Sequence, residues 1–179
     1  MSNIAIRLAN LKDLPEIMQI IADAKARLKL AGSPQWQGTY PNKESFTNDI
    51  EKKWSYLLTV DDKIAGVAAL MQIPETTYTD IEQGSWLEAN NLHYTTIHRI
   101  AISDQYTGQH LASLFFKLLI QESNRLGFNQ VRFDTHRINF AMQHIGEKLG
   151  FQKRGVIYVQ DYADNARLAY QLILTNSQK

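Results

Sequence analysis

Three short stretches hold the residues whose types and spacing could do chemistry. In Thr107-Gly108-Gln109-His110-Leu111-Ala112-Ser113 a turn opens an amphipathic segment whose start carries no acidic side chain. A helix start exposes unpaired N–H groups and the positive end of the helix dipole, which Asp or Glu commonly answers. Here either water and a Thr107 cap satisfy those donors, or they stay open for an anion such as a phosphate. The second group is His98 and His136, both on predicted strands, where an imidazole can accept a proton near neutral pH. Asp134 precedes His136 by two residues on the same strand face and could hold its ring. The alternative for each histidine is a hydrogen-bonded structural role. Asp134 and His136 find no further ligand at suitable spacing, so no metal is expected. The third group is Trp36, Tyr40, Tyr78 and Trp86, large aromatics in loop segments that could wall a pocket or form a lid over the sheet edge. Arg99, Arg132 and Arg137 read as solvated or paired, with only Arg137 near the proposed centre.

The chain-wide balance limits the ligands these groups could serve. Nineteen basic against eighteen acidic side chains give a net charge of +1, which argues against nucleic acid or an anionic membrane as partner and for a small molecule. The absence of cysteine excludes disulfide and thiolate chemistry and suits a reducing compartment. No basic segment leads into an apolar core at the N-terminus, and no run approaches the ~18 apolar residues of a membrane span. A cytoplasmic location without membrane association is therefore expected.

The elements that must position these groups follow from periodicity. Ile4, Ile6 and Leu8 alternate as a strand, and Leu14, Ile17, Met18, Ile21 and Ala22 recur at helical spacing. After the loop from Gly32-Ser33-Pro34, a shorter helix is expected over Lys43–Lys53. Strands at Tyr56–Val60 and Lys63–Gln72 join through Asp61-Asp62 as a hairpin. The pattern lapses from Pro74 to His93, then resumes as strand Tyr94–Ile102 and a helix from about Gly108 to Leu126, ended by Gly127. Val131, Phe133 and Thr135 alternate as another strand, followed by a helix over Asn139–Leu149. Strands at Gln152–Val159 and Arg167–Leu174 flank a polar turn at Asp161–Asn165. The order βαα βββ αβ αββ, without repeats, predicts one α/β domain over residues 1–179 with a mixed central sheet flanked by helices on both faces.

The succession of strand, Thr107-Gly108-Gln109-His110-Leu111-Ala112 turn, helix, strand, and the run from Asn139 to Glu147-Lys148-Leu149-Gly150-Phe151 resembles the GCN5-related N-acetyltransferase (GNAT) superfamily. The resemblance covers most of the chain. Gly108 and Ala112 fit the family's acyl-CoA turn, whereas Thr107 stands where Arg or Gln is usual and His110 where glycine is usual. It implies that main-chain N–H groups of Gly108, Gln109, His110, Leu111, Ala112 and Ser113 cradle the CoA pyrophosphate. A helical His110 would need no positive φ, so its side chain is expected to be tolerated. It further implies that Ile100, Ala101 and Ile102 lie beside the pantetheine arm, and that Asn139 contacts that arm or fixes the neighbouring strand. His98 and His136 become the candidate bases on the strands framing the acyl group. In many relatives a tyrosine protonates the leaving thiolate. The aligned residue here is Gly146.

The expected activity is transfer of an acetyl group from acetyl-CoA, as cosubstrate and without a metal, to a primary amine of a small metabolite. Attack is direct in a ternary complex, because neither cysteine nor a Ser-His arrangement offers a covalent route. Trp36, Tyr40, Tyr78 and Trp86 would line the acceptor pocket. The alternative is a catalytically silent acyl-CoA-binding or sensor protein. Oligomeric state is left open, a homodimer among the options.

Overall fold

The computed structural model describes residues 2–160 and 163–174. Its strands are β1 (Ile4–Leu8), β2 (Ser55–Val60), β3 (Lys63–Met71), β4 (Thr95–Ile102), β5 (Gln130–Thr135), β6 (Gln152–Tyr158) and β7 (Ala166–Ile173). The helices are α1 (Leu14–Leu30), α2 (Lys43–Glu51), α3 (Leu111–Arg125) and α4 (Phe140–Lys148). Together the strands form one sheet in the order β1-β2-β3-β4-β5-β7-β6. β4 and β5 run parallel, while β1–β2, β2–β3, β5–β7 and β6–β7 are antiparallel, so the sheet is mixed as expected. Asp161 and Tyr162 of the expected polar turn lie outside the described residues.

The chain divides into two compact units, Met1–Met71 with His98–Leu118 and Gln72–Ile97 with Leu119–Lys179. In the first, Asp61 and Asp62 adopt φ of 49° and 63° between the paired residues Val60 and Lys63, a turn whose twist suits a two-residue hairpin. The approach to α1 is fixed by Asn10, whose side chain accepts from Lys12 N–H, and by Asp13, whose Oδ2 accepts from Asn10 N–H at 2.9 Å. The stripe Leu14, Ile17, Ile20, Ile21 and Ala24 then packs with Phe46 and Ile50 of α2 against Leu57, Ile64, Val67 and Ala101. On the other sheet face a β-carbon on Gly66 would lie 2.7 Å from Ile102 Cδ1 and 3.6 Å from Phe115 Cδ1, which brings α3 close to β3. Helices thus cover both faces.

In the second unit Phe133 of β5 pairs in register with Tyr170 of β7. Their rings stack with centroids 4.8 Å apart, and Phe151 meets Phe133 edge-on at 5.0 Å. Tyr78, Trp86, Tyr94, Ile157 and Ala169 form a separate buried cluster. The 74–93 segment is therefore anchored by its aromatics, and Glu82 adds a bridge to Val156 of β6.

Candidate active site

β4 ends at the residues expected to lie along an extended ligand. The Ile102 carbonyl accepts from Arg27 Nη2 at 2.9 Å, Arg27 also pairs with Asp104, and Ser103 N–H donates to Ala65 O at 2.8 Å. These bonds hold the strand end and the turn after it. Gly108 sits at φ 80° with open space where a β-carbon would project, and His110 at φ 58°. Two expectations are corrected here. α3 begins at Leu111 rather than Gly108, and His110 is not helical. The left-handed region costs a non-glycine residue about 1 kcal/mol or more, so the position where the family usually has glycine is one that favours it. Downstream, the first turn of α3 contains no acidic residue. Among the described residues, N–H groups of Leu111, Ala112 and Ser113 meet no acceptor. That run of donors suits a phosphate-bearing ligand such as CoA.

One base candidate lies in the first unit with a buried ion pair. His98 on β4 is half-buried. Burial is the largest influence on the Asp49 carboxyl and raises its pKa above the ordinary 3.8, while the Arg99 guanidinium opposes that shift. Asp49 of α2 is 1% exposed and accepts from Arg99 Nη1 at 2.8 Å. The Tyr40 ring lies 5.2 Å from the Arg99 guanidinium, and Arg99 itself adopts φ 54° within β4. Sequence reading missed Asp49, although it falls three residues after Phe46 on the apolar stripe of α2, where a carboxylate is out of place. Arg99 is paired, as expected of it.

The second candidate, in the other unit, is held differently from expectation. His136 is 1% exposed, its Nδ1 accepts from Ile138 N–H at 3.3 Å, and its Nε2 lies 3.0 Å from Asp164 Oδ2. Because a backbone N–H can be met only by a lone pair, the ring proton belongs on Nε2, donated to Asp164. Asp164 also accepts from Arg137 Nη1 at 2.6 Å, and these bonds, Arg137's first, hold its carboxyl below the usual range. Asp164, not Asp134, therefore orients His136. Asp134 accepts from Tyr78 Oη at 2.8 Å instead. Burial, then Asp134, pushes the Tyr78 phenol well above its ordinary pKa.

The aromatics expected to line one pocket are distributed over both units. Trp36 packs against the α1–α2 core and Tyr40 against Arg99, both in the first unit. Tyr78 and Trp86 belong to the second and are 2% and 6% exposed, with Trp86 Nε1 donating to Tyr78 O at 2.8 Å. They are core residues rather than open walls. Arg132, expected to be solvated or paired, is buried with its guanidinium 3.7 Å from the Tyr94 ring and 4.3 Å from Trp86. The side chain of Asn139 caps α4 by accepting from Met142 N–H at 3.3 Å. Gly146 has a physical reason to lack a side chain, since its β-carbon would come within 2.5 Å of Phe133 Cζ.

No group of three or more His, Asp or Glu among the described residues could hold a metal ion, and no described helix is long and apolar enough to cross a membrane. No curated protein matches the chain. A GNAT-family acetyltransferase from Streptococcus agalactiae 2603 is 38% identical over 97% of this chain and 96% of that one, with a TM-score of 0.88. A GNAT-family acetyltransferase from Listeria monocytogenes 4b F2365 gives 21% identity, coverage of 96% and 95%, and a TM-score of 0.74. yncA from Salmonella typhimurium, solved with its cofactor acetyl-CoA, matches at 15% identity, coverage of 97% and 95%, and a TM-score of 0.67, a likeness of fold. The profile of the acetyltransferase (GNAT) domain matches residues 3–152, and with the fold, the β4–α3 turn and the streptococcal relative it places the chain in the GNAT acetyltransferase family.

Proposed function

We propose that this protein moves an acetyl group from acetyl-CoA to the primary amine of a small metabolite by direct transfer within a ternary complex. The observation that carries the reading is the run of open N–H donors at Leu111–Ser113, entered through left-handed Gly108 and His110. Acetyl-CoA would supply the activated thioester. The α3 donors and the turn before them would hold its pyrophosphate, with the main chain of Ile100, Ala101 and Ile102 beside the pantetheine arm. Since the Ile102 carbonyl already serves Arg27, Ile100 and Ala101 carry more of that role. Asn139 would act mainly by starting α4.

His98 is the better base of the two histidines, because His136 has its lone pair committed to Ile138 and its proton to Asp164. His136 then acts as a tether between the β5–α4 turn and the segment before β7. The near-neutral charge supports a small acceptor over nucleic acid, and the absence of cysteine suits the reducing cytoplasm. One observation favours a second reading, binding without turnover: the Phe133 ring leaves no room at Gly146 for an acid side chain. In the transferase reading the thiolate takes its proton from water or another group.

CoA at about 1 mM should raise the thermal midpoint, because a ligand that binds only the native state stabilises it. Gly108→Val should remove that shift while far-ultraviolet circular dichroism stays native, since a β-branched residue resists φ of 80°. Equal CoA affinity in Gly108→Val would show the cradle to be misplaced. Thiol release from acetyl-CoA with a panel of amines separates the transferase from the silent binder.

A further inference from the structure

The ion pair with Asp49 does not use all the donors of Arg99. Of its guanidinium N–H donors, Nη1 is taken by Asp49 Oδ2 at 2.8 Å. Nε is buried and has no acceptor among the described residues, and no hydrogen bond is formed there by Nη2. The Nε–Nη2 edge is the one that matches a carboxylate in two parallel bonds. Its orientation is fixed from three sides: Asp49 is 1% exposed, the Tyr40 ring lies 5.2 Å from the guanidinium, and the backbone is held at φ 54°. A strained left-handed arginine inside a strand, directly before Ile100, persists only where its surroundings over-determine it, and such residues gather at functional sites. The Arg99 side chain as a whole keeps 13% of its surface exposed. Asp49 Oδ1 is also buried with no donor among the described residues, so the pair keeps an unused acceptor as well.

We propose that the acceptor is an amine that also bears a carboxylate, the free α-amino acid being its simplest form, with the carboxylate held by the Nε–Nη2 edge of Arg99. Asp49 is a positioning residue that fixes this edge. The inference rests on the transferase reading for the meaning of "acceptor", but the binding site itself can be tested without turnover.

The test uses the full chain saturated with CoA and matched sets of an amino acid, its carboxamide and its decarboxylated amine. Binding is followed by calorimetry, and turnover with acetyl-CoA by thiol release. At least one carboxylate member should bind about 10- to 100-fold more tightly than its amide, the scale of charge-assisted hydrogen bonds. Arg99→Lys keeps the charge beside Asp49 and loses the fork, so most of that ratio should disappear with CoA affinity unchanged. Should Arg99→Lys fail to fold, the wild-type panel decides alone. Equal binding of acid and amide, or no binding of any carboxylate-bearing amine, overturns the proposal. Arg99-dependent binding of the acids without thiol release would support this site and refute the transferase reading. Turnover confined to amines lacking a carboxylate would do the reverse.

Discussion

Gly146→Ala tests whether Phe133 and not chance keeps the α4 position bare. An added β-carbon would lie 2.5 Å from Phe133 Cζ and 2.8 Å from Cε1, against about 3.5–4 Å for an ordinary carbon contact. The ring must therefore retreat by about 1 Å. Phe133 is 1% exposed, stacked on Tyr170 at 4.8 Å and met edge-on by Phe151 at 5.0 Å, so there is little room to move into. Overpacking of this kind costs about 1–3 kcal/mol, and the better helix propensity of alanine returns about 1 kcal/mol. A net loss of up to about 2 kcal/mol follows, seen as a lower urea midpoint at unchanged m, or a drop of about 2–4 °C in melting temperature per kcal/mol. In a Phe133→Leu background the clash is relieved and the same alanine should stabilise by about 1 kcal/mol. If Gly146→Ala stabilises the wild-type protein by that amount, the packing argument is wrong. If it holds, tyrosine at 146 cannot restore the acid that many relatives carry.

His98→Ala should lower turnover by about 100-fold with CoA affinity kept, whereas His136→Ala should chiefly lower the melting temperature. Loss of turnover in a stably folded His136→Ala would return the base role to that residue. Asp13 accepts from Arg7 at 2.8 and 2.9 Å, and that bond, ahead of all other influences, lowers its pKa below 3.8. A depressed folded-state value means that the stabilisation is present above pH 3.8 and fades as pH falls through the folded pKa. Asp13→Asn should thus cost about 1 kcal/mol at pH 7 and nearly nothing at strongly acid pH, read from urea midpoints. A loss that persists undiminished in acid would assign it to the cap rather than to the charge.

Much of the fold could be read from local pattern. The β1 alternation, the α1 stripe and the Asp61-Asp62 turn each declare their geometry within a few residues, because side-chain period and turn dihedrals are local properties. The unacidic helix start after Gly108 was equally legible, though its placement was early: the positive φ of His110 depends on how the turn closes, not on residue type.

The sequence by itself therefore determined the element order, the absence of thiol chemistry, the balanced charge and the β4–turn–α3 motif that marks the family. Tertiary structure alone decided which partners the chemical groups meet. Asp164 rather than Asp134 holds His136, across 28 residues of chain, and Asp49 meets Arg99 across 50. Tyr78 and Trp86 turn from loop aromatics into core, and Phe133 fills the space over Gly146. Hydrogen bonds and ring contacts act over a few ångströms in space, and residues that distant in sequence come within reach only after the sheet has set their register.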